Sequence, residues 1–204
     1  MLKVFHRMLE NPEMYEFIQR LLGGDRVFRA LKVALEAELR QIIYSNVLEV
    51  GCGTGLTKDC FNSEYTGIDI NPEYIRVVSS RGVGTFLVAD ATLLPFEPET
   101  YDLVFTAGVL HHLNEQDRNK MLGEMRRVCR PKGYILIADG LVPSNRLNLI
   151  GYALAKLDRG RYKMRIERFL DMIRTAYPAP FSIRFAQYRT FPVEFVVAVV
   201  SRIE

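Results

Sequence analysis

An acid followed by glycine at every second position marks the first half of the chain, in the order Glu49, Gly51, Gly53 and Gly55. Glycine adopts positive φ angles and lets the backbone touch a ligand where any Cβ would clash. Asp69 ends the next apolar run, and a carboxylate there accepts hydrogen bonds from the hydroxyls of a ribose. The pattern predicts a site for a nucleoside-containing ligand. The alternatives are a tight turn without a ligand and, for Asp69, a helix cap.

The spacing of these glycines distinguishes between classes of cofactor. A dinucleotide-binding loop has the pattern G-x-G-x-x-G and places a pyrophosphate at the N-terminus of a helix. Here the third glycine comes one residue early, and Leu56 occupies the sixth position. A P-loop is excluded because no G-K-[ST] follows. The spacing therefore disfavours a dinucleotide, and we expect a helical segment to begin at Leu56.

Alternating strands and helices position these residues. Apolar runs predict strands that include Val47–Val50, Tyr65–Ile70, Phe86–Val88, Tyr101–Phe105 and Tyr134–Ala138. Helices are predicted between them, one beginning at Asn71-Pro72 and one from Asn114 to about Arg130. Such alternation is typical of a parallel sheet with helices on both faces.

Four segments between Asn46 and Gly140 carry a family resemblance: VLEVGCGTG, GIDI, VADATLLPFEPETYDLVFTAGVLHHL and RRVCRPKGYILIADG. Through them the chain resembles class I S-adenosylmethionine-dependent methyltransferases, and in particular the small-molecule group that includes ubiquinone and menaquinone biosynthesis enzymes. The resemblance implies an α/β fold with a Rossmann-like, seven-stranded, mostly parallel sheet and an antiparallel last strand. Segments Ser182–Thr190 and Glu194–Arg202 would supply its last two strands.

The resemblance also implies which residues hold S-adenosyl-L-methionine. Asp69 would bind the ribose, and Asp90 the adenine amino group, although Asp90 also suits a surface turn. The segment Leu93–Phe96 would close over the adenine ring or cover the sheet edge. The complete implied cofactor set is Glu49, Gly51, Cys52, Gly53, Gly55, Asp69, Ile70, Asp90, Ala91 and Thr106. Cys52 is expected to be a small fitting side chain and not a nucleophile.

The end of the predicted fourth strand bears on the methyl acceptor. Nucleic-acid amino methyltransferases often carry an Asn-Pro-Pro-Tyr tetrad here, whereas this chain has Thr106-Ala107-Gly108-Val109. This difference disfavours a base amine as acceptor. His111 is the candidate general base because its unperturbed pKa lies near neutrality. The alternative is that His111 and His112 form a structural junction, since transfer from a sulfonium can proceed by alignment alone.

Composition predicts one ordinary globular domain. The 204 residues carry a net charge of +3, which is too small to indicate a nucleic-acid partner. Three cysteines without metal-ligand spacing favour a reducing, cytoplasmic setting and no metal site. We find no signal-peptide core in the first residues and no apolar run long enough to span a membrane. The oligomeric state is not predicted.

We expect residues 1–204 to divide into a helical cap (1–45), a cofactor-binding core (46–140), a helical insertion on the substrate side (141–180) and two final strands (181–204). Predicted helices are Asn11–Leu22, Asp25–Ile43, Asn145–Ala155 and Met164–Ala176. Between Lys156 and Arg174 seven basic and three acidic residues accompany apolar ones. This mixture suits an anionic acceptor or an apolar acceptor at a membrane surface, and equally a solvated helix face. Tyr177–Phe181 would wall a pocket or form a packed connection.

These observations predict transfer of a methyl group from S-adenosylmethionine to a small-molecule acceptor. The alternatives are methylation of RNA or protein, a protein that binds the cofactor without catalysis and, from another class, a dinucleotide-dependent oxidoreductase. The last is disfavoured by the glycine spacing and by the absence of a Tyr-x-x-x-Lys motif after the fourth strand.

Overall fold

The computed structural model describes residues 24–157, 160 and 162–203. The helix expected at Asn11–Leu22 lies outside these residues. The seven strands are β1 (Asn46–Val50), β2 (Glu64–Asp69), β3 (Thr85–Val88), β4 (Tyr101–Ala107), β5 (Cys129–Leu141), β6 (Phe181–Thr190) and β7 (Val193–Arg202). The described α-helices are α1 (Gly24–Leu39), α2 (Pro72–Arg81), α3 (Glu115–Val128), α4 (Leu149–Leu157) and α5 (Ile166–Ala176).

The strands form one sheet in the order β3-β2-β1-β4-β5-β7-β6. Strands β3, β2, β1, β4 and β5 run parallel to one another. Strand β7 is antiparallel to both β5 and β6. This arrangement confirms the predicted Rossmann-like sheet with an antiparallel last strand. The chain order reverses between β1 and β4, and ligands of open α/β sheets bind outside the carboxyl ends of the strands at such a point.

Both faces of the sheet are covered, as the alternating pattern predicts. Leu48 and Val104 lie on one face with the buried sides of α3 and α5. Val47 and Leu103 lie on the opposite face with α1. Successive strand residues point to opposite faces, so these strands are apolar at nearly every position and the sheet is held rigidly between two layers.

Helix boundaries show where side-chain caps act. The Asn71 side chain accepts a hydrogen bond from the Glu73 N–H (2.9 Å), and Asn114 accepts one from the Asp117 N–H (3.0 Å). These two caps confirm the predicted starts of α2 and α3. The helix predicted from Asn145 begins at Leu149, because Asn145 forms a local turn with the Leu147 N–H (2.9 Å).

Two other boundaries correct the predictions. The segment from Leu56 forms only a short 3-10 turn at Lys58–Cys60 and not an α-helix. Phe61 is buried directly after this turn, and β2 begins at Glu64, so too few residues remain for a helix. Helix α1 ends at Leu39 and not near Ile43, because the chain turns there to bury Ile42 on its way to β1.

None of the helices that the structure describes combines the length and apolarity needed to cross a bilayer.

Candidate active site

The three glycines of the β1–β2 loop all have positive φ, but they serve different purposes. A Cβ on Gly51 would lie 2.3 Å from Val109, and one on Gly55 would lie 2.5 Å from Val78. Gly53 has φ +53°, and nothing lies within 4 Å of the position its Cβ would take. Packing within the protein therefore accounts for Gly51 and Gly55. Only Gly53 faces open space, where a ligand can approach the backbone.

Asp69 joins this loop to the end of β2. One carboxylate oxygen accepts a hydrogen bond from the Gly53 N–H (3.0 Å), and the other accepts from the Asn71 N–H (2.8 Å). Asp69 is half-buried. The structure thus places the predicted ribose-binding acid beside the open face of Gly53, where it also fixes the loop.

Glu49 lies beneath the loop and not within the crevice. It is 2 % exposed, and its carboxylate accepts hydrogen bonds from the hydroxyls of Thr57 (2.5 Å) and Tyr65. Burial raises the pKa of Glu49 to about 7, against the lowering effect of these two donors. The carboxylate therefore joins Thr57 after the glycine loop to Tyr65 of β2.

Thr54 is a residue of this loop that the sequence reasoning missed. It is 6 % exposed, and its hydroxyl oxygen has no hydrogen-bond partner among the residues that the structure describes. A buried hydroxyl usually has a partner, so this atom fits a ligand group beside Gly53. Neighbouring Cys52 packs against Gly67, and burial raises the pKa of its thiol, as expected for a residue that is not a nucleophile.

The proposed adenine end of the crevice is exposed. Asp90 accepts hydrogen bonds from the Thr92 N–H and hydroxyl (2.8 Å each), so part of its carboxylate closes a local turn, and these bonds lower the pKa of Asp90. Ala91 is half-buried beside it, and Ile70 is 70 % exposed. Because Asp69 pairs with Val88 at the ends of β2 and β3, these residues lie at the carboxyl edge of the sheet.

The segment Leu93–Phe96 is only partly available to a ligand. Leu94 is buried in the core, and Phe96 packs edge-on against Tyr101. Leu93 is exposed. The alternative interpretation, that this segment covers the sheet, therefore holds for Leu94 and Phe96.

The carboxyl end of β4 places Thr106 and Gly108 at the centre of the sheet. The Thr106 side chain is fully buried, and its hydroxyl donates to the Val50 carbonyl (2.8 Å). It therefore ties β4 to the start of the glycine loop. Gly108 has φ +69°, and its Cβ position lies 3.8 Å from Cε1 of His111. The glycine loop and His111 thus meet at this strand end.

His111 forms a buried pair with Asp139. The imidazole Nδ1 contacts one carboxylate oxygen of Asp139, and the His111 backbone N–H donates to the other (3.0 Å). His111 is 7 % exposed, and its ring lies beside that of His112, tilted by 40° with centroids 4.2 Å apart. Nothing local in the sequence indicates Asp139 as a partner, because the two residues come from different strand ends.

The insertion after β5 closes against this pair. A Cβ on Gly160 would lie 1.8 Å from the imidazole of His111, so its backbone packs directly on the ring. The Tyr162 N–H donates to the His111 carbonyl (3.0 Å). Gly160 and Tyr162 of the insertion therefore lie at the carboxyl edge of the sheet, beside β4 and β5.

Much of the basic, apolar segment Lys156–Arg174 is structural. Phe169 and Ile173 of α5 are fully buried against α3, and the Tyr177 hydroxyl donates to the Leu122 carbonyl (3.1 Å). Within Tyr177–Phe181, Tyr177 is thus packed in the core and contacts Phe181 edge-on, whereas the three residues between them are exposed. In the described part of the chain, no cluster of His, Cys, Asp and Glu is arranged to hold a metal ion.

Comparison with known proteins agrees with this geometry. A family model described as "Methyltransferase domain" matches residues 48–137. The demethylmenaquinone methyltransferase of Thermotoga maritima is 30 % identical over 153 residues, which cover 71 % of this chain and 63 % of that protein. Residues 48–137 thus carry the sequence pattern of a methyltransferase domain.

Two further comparisons define the extent of the likeness. A tRNA (carboxymethyluridine(34)-5-O)-methyltransferase of Arabidopsis thaliana is 40 % identical over 98 residues, which cover 46 % of this chain but 23 % of that protein. The chain thus spans less than two-thirds of either curated relative. The plantazolicin methyltransferase BpumL, solved with a substrate analogue and S-adenosylhomocysteine, shares the fold with a TM-score of 0.72 at 12 % identity, over 96 % of this chain and 93 % of that chain.

Proposed function

We propose that the chain transfers a methyl group from S-adenosylmethionine to a small-molecule acceptor at the carboxyl edge of the sheet. The observation that carries the proposal is the pairing of Gly53, whose backbone faces open space, with Thr54, whose buried hydroxyl lacks a described partner. The methionine part of the cofactor would contact this pair, and its ribose would reach Asp69. Ile70, Asp90 and Ala91 would border the adenine.

The cofactor supplies an activated methyl group on a positively charged sulfur, and the residues of the chain supply binding and alignment. Glu49 and Thr106 hold the glycine loop from below, and Gly108 leaves room at the end of β4. His111 is the candidate base, because Asp139 orients its imidazole through Nδ1. An imidazole held in this way uses its other nitrogen to accept a proton.

Methylation of an RNA nucleoside is the second candidate, and the Arabidopsis relative favours it. That similarity covers 98 residues and 23 % of the relative's length. The Thermotoga relative extends over 153 residues and supports the small-molecule proposal. S-adenosylmethionine with a radiolabelled methyl group, incubated separately with a metabolite extract and an RNA extract, distinguishes the two candidates. Only the extract that contains the acceptor becomes labelled.

A dinucleotide-dependent reaction finds less support. A pyrophosphate binds at the N-terminus of a helix, whereas the loop from Gly55 leads into the short turn Lys58–Cys60. The three free thiols, Cys52, Cys60 and Cys129, support the inference that the protein works in the reducing cytoplasm. A peripheral contact with a membrane surface remains part of the proposal for an apolar acceptor.

Calorimetric titration with S-adenosylmethionine, S-adenosylhomocysteine and NAD tests the proposed function. We expect the first two compounds to bind and NAD not to bind. Replacing Asp69 by Ala should lower the affinity by about 1–3 kcal/mol, the scale for losing a hydrogen-bond partner. Asp90→Ala, at a more exposed site, is the matched variant and should have the smaller effect. Binding of NAD alone would overturn the proposal.

A further inference from the structure

Arg118 stands out among the described charged residues because two of its three guanidinium nitrogens are buried without a hydrogen-bond partner there. It lies in the first turn of α3 and is 4 % exposed. Its Nε and Nη1 atoms are both buried and have no hydrogen-bond partner in the described part of the chain. A cation in the first turn also opposes the helix dipole. Helix stability therefore does not explain its position.

The two acids that act on Arg118 through space, Glu115 and Asp139, contact other groups. The Asp139 carboxylate accepts hydrogen bonds from the His111 N–H (3.0 Å), from the His111 imidazole and from the Gly140 N–H (2.7 Å). Glu115 is exposed on the surface and lies 3.8 Å from Arg168. Both acids act on Arg118 only through space, and burial is the main cause that lowers its pKa. Arginine nevertheless remains protonated in proteins.

The surroundings place this guanidinium at the acceptor end of the sheet. Its central carbon lies 5.7 Å from the centre of the Tyr162 ring. The backbone of Tyr162 in turn donates to the His111 carbonyl. Arg118 therefore lies with the elements that meet at the end of β4, and not with the glycine loop.

The geometry points to Arg118 as the residue that binds a carboxylate on the methyl acceptor. This inference rests on the proposed function and adds the chemical class of the acceptor. A carboxylate satisfies guanidinium donors with charge-assisted hydrogen bonds. Arg168 and Glu115 lie beside each other and offset one another, and Asp139 already places one negative charge near Arg118, so a singly charged group fits better than a phosphate dianion. The ring of Tyr162 offers an apolar surface for the rest of the molecule.

A binding role and a structural role for Arg118 predict opposite effects on stability. A buried charge without a partner destabilises the folded protein, and an apolar side chain of similar length removes that cost. Arg118→Met should then leave the melting temperature unchanged or raise it. If Arg118 instead stabilised α3 and Tyr162, the same substitution would lower it.

The experiment compares wild type with Arg118→Met, Arg118→Lys and the control Arg126→Met. Arg126 is exposed near the other end of the same helix. Its replacement therefore removes the same charge at a position away from Arg118 and Tyr162. Benzoate and benzamide are the probes, because they match in size and ring and differ in charge. Each is titrated by calorimetry with and without saturating S-adenosylhomocysteine, whose own binding is measured in every variant.

We expect wild type and Arg126→Met to bind benzoate at least tenfold more tightly than benzamide. Arg118→Met should lose this preference, Arg118→Lys should keep part of it, and all variants should bind S-adenosylhomocysteine alike. Equal or absent binding of the two probes in wild type would overturn the inference. So would a preference that survives in Arg118→Met, or a melting temperature that falls further than in Arg126→Met. Failure of wild type to bind S-adenosylhomocysteine would contradict only the proposed function.

Discussion

The proposed cofactor half and the proposed acceptor half of the crevice are built in different ways. On the cofactor side, one continuous loop and the end of the next strand supply the glycines, Thr54 and Asp69. On the proposed acceptor side, His111, Arg118, Asp139 and Tyr162 come from four separate segments. The cofactor side depends on backbone conformation. The acceptor side depends on side chains that only the tertiary structure brings together. The cofactor half is therefore visible in a short sequence motif, and the acceptor half is not.

Gly53→Leu should have the largest effect, because it places a side chain in the open space above the loop. We expect the affinity for S-adenosylhomocysteine to fall at least about 100-fold, or about 3 kcal/mol. The positive φ should cost the fold only about 1–2 kcal/mol. Calorimetry and urea unfolding measure the two effects.

Gly123→Ala is the control for this substitution, because it fills open space on α3 far from the loop. It should leave cofactor affinity unchanged. Affinity in Gly53→Leu within a factor of about three of wild type would show that the ligand does not approach the loop there.

His111→Gln tests the other half of the crevice. Loss of a general base typically lowers turnover by about 10²–10⁴-fold, whereas cofactor binding on the far side should not change. Transfer of labelled methyl groups into a metabolite extract, alongside calorimetry with S-adenosylhomocysteine, measures both. Unchanged turnover would restrict His111 to the junction between β4 and α3. A parallel loss of cofactor affinity would show that the two halves do not act separately.

Glu49→Gln examines the support beneath the cofactor loop. The pKa of Glu49 is raised from near 4.5 to about 7 in the folded chain, so the folded state binds more protons than the unfolded state between these values. The free energy of unfolding should therefore fall as pH rises through this window, by about 1–3 kcal/mol in wild type relative to the variant. Urea unfolding between about pH 5 and about pH 8 checks this; parallel pH profiles would contradict it.

Tyr177→Phe should have the smallest effect and concerns the packed part of the insertion. It removes the hydroxyl that donates to the Leu122 carbonyl (3.1 Å). We expect a loss of about 1 kcal/mol in stability without any change in cofactor affinity. Thermal unfolding and calorimetry provide the measurements. A large change in affinity would show that this connection belongs to the crevice after all.

The sequence predicted the sheet well because its strands are apolar on both faces and separated by clear caps, such as Asn71 and Asn114. It predicted the helix from Leu56 wrongly, since nothing local indicates that Phe61 is drawn into the core. The placement of Thr106 by the cofactor stays a prediction; its hydrogen bond to the Val50 carbonyl could not be predicted, because a contact between two strand ends has no local signal. Arg118 does have a local signal, a cation in the first turn of a helix.

A crystal structure with bound S-adenosylhomocysteine tests the central claim most directly. We expect its amino-acid part against Gly53 and Thr54, its ribose hydroxyls on Asp69, and its sulfur facing Gly108 at the end of β4. An empty crevice at saturating ligand, or a molecule whose sulfur points away from the residues around His111, would contradict the account.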